Sequence, residues 1–355
     1  MSDNRFAVKF RVTVGGRVYE NGPKPGEPGQ PISLTITHRD QEASQMELLV
    51  FDNVTMGDVP FPEYNSIPNP RLVETIPVEA WAGWDEGEYV KVFEGILLRK
   101  SANFVMSQTR FVASHESFKL RKRGKVHVLK NMTFKEMIVQ KAKEEGIVVE
   151  FRPSAASDPS LNTPVERIFQ MGEAPWQVIR RTLTSLGFIA NTIKKNVLVI
   201  TRDKSHGEGY TFRRGDEHII SLAPSQEQKR DERSGKRKGH THEHKPGKHW
   251  SRQVQETDDG SRAVETERAP IGRDVKTKKV PFARFAISGK AKRRKIEGDE
   301  LSLTVRLHPK MRNEEIVTIQ DFGAQINGSY QTSEVAHRLG NSSAQTEIKA
   351  WKPAS

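Results

Sequence analysis

The strongest constraint on this chain is at its start. Phe6, Val8, Phe10, Val12 and Val14 alternate with Lys9, Arg11 and Thr13. Side chains on an extended backbone point to opposite faces in turn, so this period of two means a strand with one face buried and one wet. Gly15-Gly16 then turns the chain into Arg17-Val18-Tyr19. After a Pro- and Gly-rich loop over 21–31, the alternation returns in Ile32, Leu34 and Ile36, and a further strand follows at 46–51. The segment from Asp52 to Pro70 is rich in turn formers and offers few core candidates. Strands resume at 78–81, 89–97 and 109–113. Short strands separated by turn signals predict a closed barrel or sandwich over residues 1–125.

The pattern changes over 126–204. Thr133 followed by Glu136 is a capping box, and Phe134, Met137, Ile138 and Lys141 follow at helical spacing until Gly146 ends the helix. Residues 147–151 read as a strand. A second helix opens with Pro175 at its first position, carries Trp176, Ile179, Leu183 and Leu186 on one face, and stops at Gly187. Residues 188–193 and 197–201, separated by Lys194-Lys195-Asn196, predict a hairpin. Strands return at 301–307, 316–319, 328–337 and 346–351, and 205–225 joins 281–355 in a second β domain. The fold class is α+β, mainly β, with a small two-helix α/β domain between two β domains.

The net charge of +12 and pI near 9.7 invite a nucleic-acid reading, so the position of the charge matters. Much of it falls in 226–312. Lys236, Arg237 and Lys238 form one run and Lys292, Arg293, Arg294 and Lys295 another, both possible contacts for a polyanion or a protein partner. Residues 226–280 hold few large apolar side chains, which predicts a polar insertion or protruding arm. Asp258-Asp259-Gly260 signals a hairpin within it. Ala283, Ala286 and Ala291 among basic residues suggest a charged helix. His240, His242, His244 and His249 are candidate metal ligands, because alternate histidines on an extended segment share a side; solvated loop histidines are the competing reading. No cofactor is expected. Acids interleave with the basic residues, and aromatic side chains suited to stacking on bases are few, so a contact surface for assembly is favoured over specific nucleic-acid binding.

The chain has no cysteine, which excludes a disulfide framework and a thiol nucleophile. No apolar run approaches the roughly 18 residues of a membrane helix, and the first residues show no signal-peptide pattern. Walker A, G-x-G-x-x-G, H-E-x-x-H and G-x-S-x-G are all missing, so catalysis is not expected. His337 lies on a strand and reads as a packed or hydrogen-bonded residue at the core edge.

Four passages together resemble the late control protein D family of phage tail hubs, which is similar to the N-terminal part of type VI secretion spike proteins. They are Tyr89 to Ile96 with Phe93 and Gly95; Phe118 to Leu120 followed by Thr133 to Glu136; Ile168 through Trp176 to Gly187; and Gly328-Ser-Tyr330 with Val335 to His337 and Thr346 to Ile348. The resemblance covers most of the chain and departs from it over 226–280. It implies a non-enzymatic baseplate hub with two β-barrel domains per chain. A homotrimeric, pseudo-sixfold ring would fit a sixfold tail tube to a threefold spike. Implied partners are the tube or tube-initiating protein, the spike, the tape measure protein and other baseplate proteins, with DNA only as passing cargo. The implied location is the virion tail baseplate, assembled in the host cytoplasm. A nucleic-acid-binding protein using 226–312 and a cell-wall hydrolase are the alternatives.

Overall fold

The N-terminal alternation becomes Val8–Val14 (β1), whose Phe10, Val12 and Val14 are completely buried while Lys9 and Arg11 are exposed. The computed structural model describes residues 8–21, 29–40, 42–52, 61–73, 75–84, 89–103, 105–122, 124, 126–194, 196–201, 209–225, 300–313, 315–340 and 343–352, together with the backbone path of 238–245, 248–256, 262–268 and 274–281. After β1 come Arg17–Glu20 (β2), Pro31–Arg39 (β3) and Gln45–Phe51 (β4). A short helix, Pro62–Ser66 (α1), precedes Pro77–Trp84 (β5), Val90–Asn103 (β6) and Gln108–Ser114 (β7). These strands lie side by side, all antiparallel, in the order β3-β4-β7-β6-β5-β1-β2. Their inner faces share one core, including Phe10, Tyr19, Leu34, Leu48, Val78 and Phe111.

Residues 126–201 build a second core. Val126–Thr133 (β8) leads into Phe134–Glu144 (α2), then Val148–Phe151 (β9) and two single turns, Pro153–Ala156 (α3) and Pro159–Asn162 (α4). Pro164–Met171 (β10), Pro175–Leu186 (α5), Ile189–Lys194 (β11) and Val197–Thr201 (β12) complete it. β8 and β10 form an antiparallel pair; β11 and β12 form the hairpin read from the sequence, with β9 parallel to β12. Met137 and Ile138 of α2 and Val178, Ile179 and Leu183 of α5 are buried together with Leu120, Ile168 and Phe188.

The third core lies under the C-terminal strands. Gly209–Arg213 (β13) and Ile219–Ser225 (β14) come first. Residues 227–295 then form a compact unit of their own. Within it Lys238–Lys245 (β15), Lys248–Glu256 (β16), Arg262–Arg268 (β17) and Asp274–Pro281 (β18) make an antiparallel meander. The β16–β17 pairing flanks Asp258-Asp259-Gly260, whose own turn lies outside the described residues, as does the charged helix expected over 283–291. Glu300–Arg306 (β19), Ile316–Gln320 (β20), Gly328–Gly340 (β21) and Ala344–Trp351 (β22) close the chain. Phe212, Leu303, Met311, Val317, Tyr330 and Ile348 are buried here.

One strand joins the first and third cores. Along one edge β21 pairs with β20 at residues 328–331, then with β3 at 334–340; β22 runs along its other edge. The register shift at Thr332–Glu334 sits where this exchange occurs. The result is one sheet of 13 strands whose main path runs from β14 to β2. Its main path ends at β2 and β14, with β13 running parallel to β20 off that path, and among the described residues no sheet closes on itself, so the sequence expectation of closed barrels is met only as layers with one face buried.

Candidate functional site at the meeting of the three cores

Where β3, β21 and the α/β core meet, polar side chains replace apolar ones. His38 on β3 and His337 on β21 are both buried, with ring centroids 5.9 Å apart and edges facing. His337 Nε2 lies 3.1 Å from the Met311 carbonyl, which can only accept, so Nε2 carries the proton. Its Nδ1 therefore accepts from the Thr346 hydroxyl at 3.1 Å, while that hydroxyl accepts the His308 N–H at 2.9 Å. Burial pushes the His337 imidazole down to about 3, and the Arg312 guanidinium adds to the effect. His38 is likewise held well below the ordinary range by burial, then by Arg312 and His337. Both rings are neutral at any physiological pH.

The other groups tie the cores together. His38 Nδ1 meets the Ser44 hydroxyl at 2.9 Å, and Ser44 meets the Thr192 hydroxyl of β11 at 2.9 Å and donates its N–H to it at 3.1 Å. Asn313 donates to Asp40 at 3.0 Å and to Asn191 at 3.3 Å, reaching two other cores from one amide. Arg312 donates to the carbonyls of Pro309, Met311 and Lys91, each at 2.8 Å, the last on β6. On the outer side Arg39 pairs with Glu334 at 3.1 Å, and Lys349 with the same carboxylate at 3.2 Å. Burial opposes ionisation of Glu334, but these two cations outweigh it and hold its carboxyl below the usual range. Neutral imidazoles and a guanidinium bound to carbonyls do not make a nucleophile and base. They make a joint whose hydrogen bonds are directional where apolar packing would not be.

The residues singled out by sequence are spread through the molecule rather than gathered here. Phe93 is buried in the first core. Gly95 on β6 is passed so closely by β7 that a Cβ would stand 2.3 Å from the Ser114 carbonyl oxygen. Thr133 caps α2: it accepts the Glu136 N–H at 3.1 Å, and Glu136 accepts the Thr133 N–H at 2.8 Å. Trp176 is buried in the second core, and Gly187 ends α5 at φ 77°. Gly328 begins β21 at φ 144°, against the Lys352 side chain. Tyr330 is buried and donates to the Ile326 carbonyl at 2.6 Å. Of the set, His337 alone enters the joint. His240, His242, His244 and His249 lie on β15 and β16, and Lys238 begins β15. Lys236, Arg237 and residues 292–295 lie outside the described residues.

Sequence reasoning missed a buried polar cluster in 52–67. Asp52 accepts the N–H groups of Glu63 (3.1 Å) and Tyr64 (2.9 Å) and the Thr109 hydroxyl (2.6 Å). Glu63, itself buried, is paired with Arg17, and Phe61 and Ile67 are buried beside it. The only signal was Pro62 before Glu63, a helix-start pattern within a stretch read as turns. Among residues with described side chains no group of three or more His, Asp or Glu is placed to hold a metal, and no described helix is long and apolar enough to cross a membrane.

Three cores, two of them under one shared and mostly antiparallel sheet, make up a fold also seen in solved phage tail proteins. This chain has that fold. A 43 kDa tail protein of a Shewanella oneidensis prophage superposes with TM-score 0.62 over 97% of this chain and 98% of its own, at 14% identity. A tail protein from Neisseria meningitidis gives 0.59, with 98% and 97% covered, at 15% identity. An Escherichia coli component of the type VI secretion system, described as structurally similar to T4 phage tail proteins, gives 0.57, with 97% and 77% covered, at 10% identity. No family model matches the chain, and no curated protein matches it.

Proposed function

We propose that this chain is a structural hub subunit of a phage tail baseplate or a related contractile injection machine. The observation that carries the reading is its likeness, from end to end, to tail proteins of about the same length. The sheet supports it: β2 and β14 end the path among the described residues, and sheet ends are where a further strand or a neighbouring subunit is best received. In this reading residues 1–125 and 205–225 with 281–355 are two barrel-like ring modules, 126–204 is the α/β module between them, and 226–280 is an added arm. Three copies form a ring with pseudo-sixfold symmetry, matching a sixfold tube on one face and a threefold spike on the other. The polar joint holds the two ring modules at one angle, which such a ring requires, since an error repeats in every copy. The role is mechanical rather than catalytic.

Particle images of the chain assembled with its tube and spike proteins test this. Threefold rings with six similar β modules are expected. A chain that stays monomeric and joins neither tube nor spike overturns it.

A further inference from the structure

The α/β module of 126–201 is fastened to the rest of the chain differently from the other two cores. Strands β8 to β12 form two small sheets, and among the described residues none of them pairs with a strand of the 13-stranded sheet. The apolar core of the module shares no residue with the other two. Shared ladders and shared apolar packing are what make parts of a protein open together, and here neither crosses the boundary.

What crosses it is a seat of short polar side chains. Ser44, in the turn before β4, donates its N–H to the Thr192 hydroxyl of β11 at 3.1 Å, and the two hydroxyls lie 2.9 Å apart. The Ser44 carbonyl accepts the His115 N–H at 2.9 Å and the Ser114 hydroxyl at 3.2 Å, where the chain leaves β7 for the module. One residue thus holds both the entry to the module and the near end of β11. Beside it Asn313 donates to Asn191 at 3.3 Å. All six residues are buried. The seat is not fully matched, however: the Asn191 Nδ2 is buried without a hydrogen-bond partner. An unpaired buried donor favours any arrangement that lets water reach it.

We propose that Ser44 and Asn313 form a latch, and that the α/β module swings off this seat as one body while the shared sheet stays whole. The Ser44 carbonyl, bound to Ser114 and His115, marks the pivot; the Ser44 N–H and hydroxyl, with Asn313, are the catch. Each bond of the catch contributes little net free energy, because water replaces it on opening. The module carries its own closed core, including Met137, Ile179, Leu183 and Phe188, and so has no apolar interior to lose when it moves. The latch belongs to the single chain and holds whether or not the chain is a hub.

The chain has no cysteine, so pairs of introduced thiols carry spin labels without background. Val18 on β2 and Val139 on α2 are both exposed and report across the seat; Val126 and Val139, also exposed, report within the module. Distances are measured by pulsed electron resonance on the full chain, with labelled copies diluted into unlabelled ones. In Val18→Cys with Val139→Cys, one main distance is expected, with a minor second population that Thr192→Val raises about 10-fold, since it removes the hydroxyl at nearly constant shape. Thr192→Ser keeps the hydroxyl and should match the parent. Asn313→Ala, which breaks the other contact, should act in the same direction as Thr192→Val. The Val126→Cys with Val139→Cys pair should give one distance in every background. A cross-seat distribution indifferent to both Thr192→Val and Asn313→Ala overturns the latch. Equal broadening of the pair within the module overturns the swing, since the module then melts rather than moves.

Discussion

At Gly95 two strands approach so closely that a single methyl group cannot be accommodated. Because the obstacle is backbone, relief requires β6 and β7 to separate. Gly95→Ala is expected to destabilise the chain by about 3 kcal/mol, at the upper end of overpacking costs, read from the urea midpoint. His337 gives a pH signature. Its imidazole binds a proton near 6.5 when unfolded but only near 3 when folded. Between those values the unfolded state holds the extra proton, so stability falls as pH drops through the window and is fully present above it. His38, shifted the same way, adds to the loss. The wild-type urea midpoint should therefore fall more steeply between pH 6.5 and 4 than that of His337→Gln; equal slopes would show that His337 is not the source. His337 was visible in the sequence as a member of a strand. The partner of His337 was not, because His38 lies on a strand far away in the chain. Asp52 and Glu63 escaped notice for the same reason: a buried acid in a turn-rich segment is legible only through Thr109 and Arg17, its distant partners.

Elements with local grammar were the most readable. α2 begins at the Thr133 box and α5 at Pro175, where Gln177 reaches back to the Ala174 N–H at 3.1 Å. Thr133→Ala leaves the Glu136 N–H without its cap and should cost about 1 kcal/mol, measurable by denaturant unfolding, with Thr133→Ser nearly neutral. The faces of the strands were equally plain, since alternation alone decides which side chains are buried. Their partners were not. A period of two says nothing about which neighbour lies along each edge, so the exchange of β20 for β3 along β21 has no sequence signature beyond the length of that strand. The closure expected of each barrel failed to appear in the described residues on the same account.

For the whole molecule, the charge and the fold are separable. The basic runs near 236 and 292 lie away from the three cores in sequence, and the polar joint needs no anion. Binding of the full chain to duplex DNA should be weak and indifferent to sequence, with a shallow dependence on salt. Fluorescence anisotropy across a salt series checks this. A steep slope that vanishes when 226–280 is deleted would instead assign the arm to nucleic acid.

The strand exchange on β21 also sets a timetable. β3 is complete at Arg39, but the strand that covers its edge begins pairing at Glu334. Roughly 300 residues must leave the ribosome in the interval, which at typical synthesis rates takes on the order of 15–60 s. For all that time the nascent chain presents a strand edge able to pair with any passing strand, including the same edge on a neighbouring copy. The C-terminal strands therefore act as the chain's own late chaperone, and a message truncated before codon 334 would yield a product that sticks to its siblings.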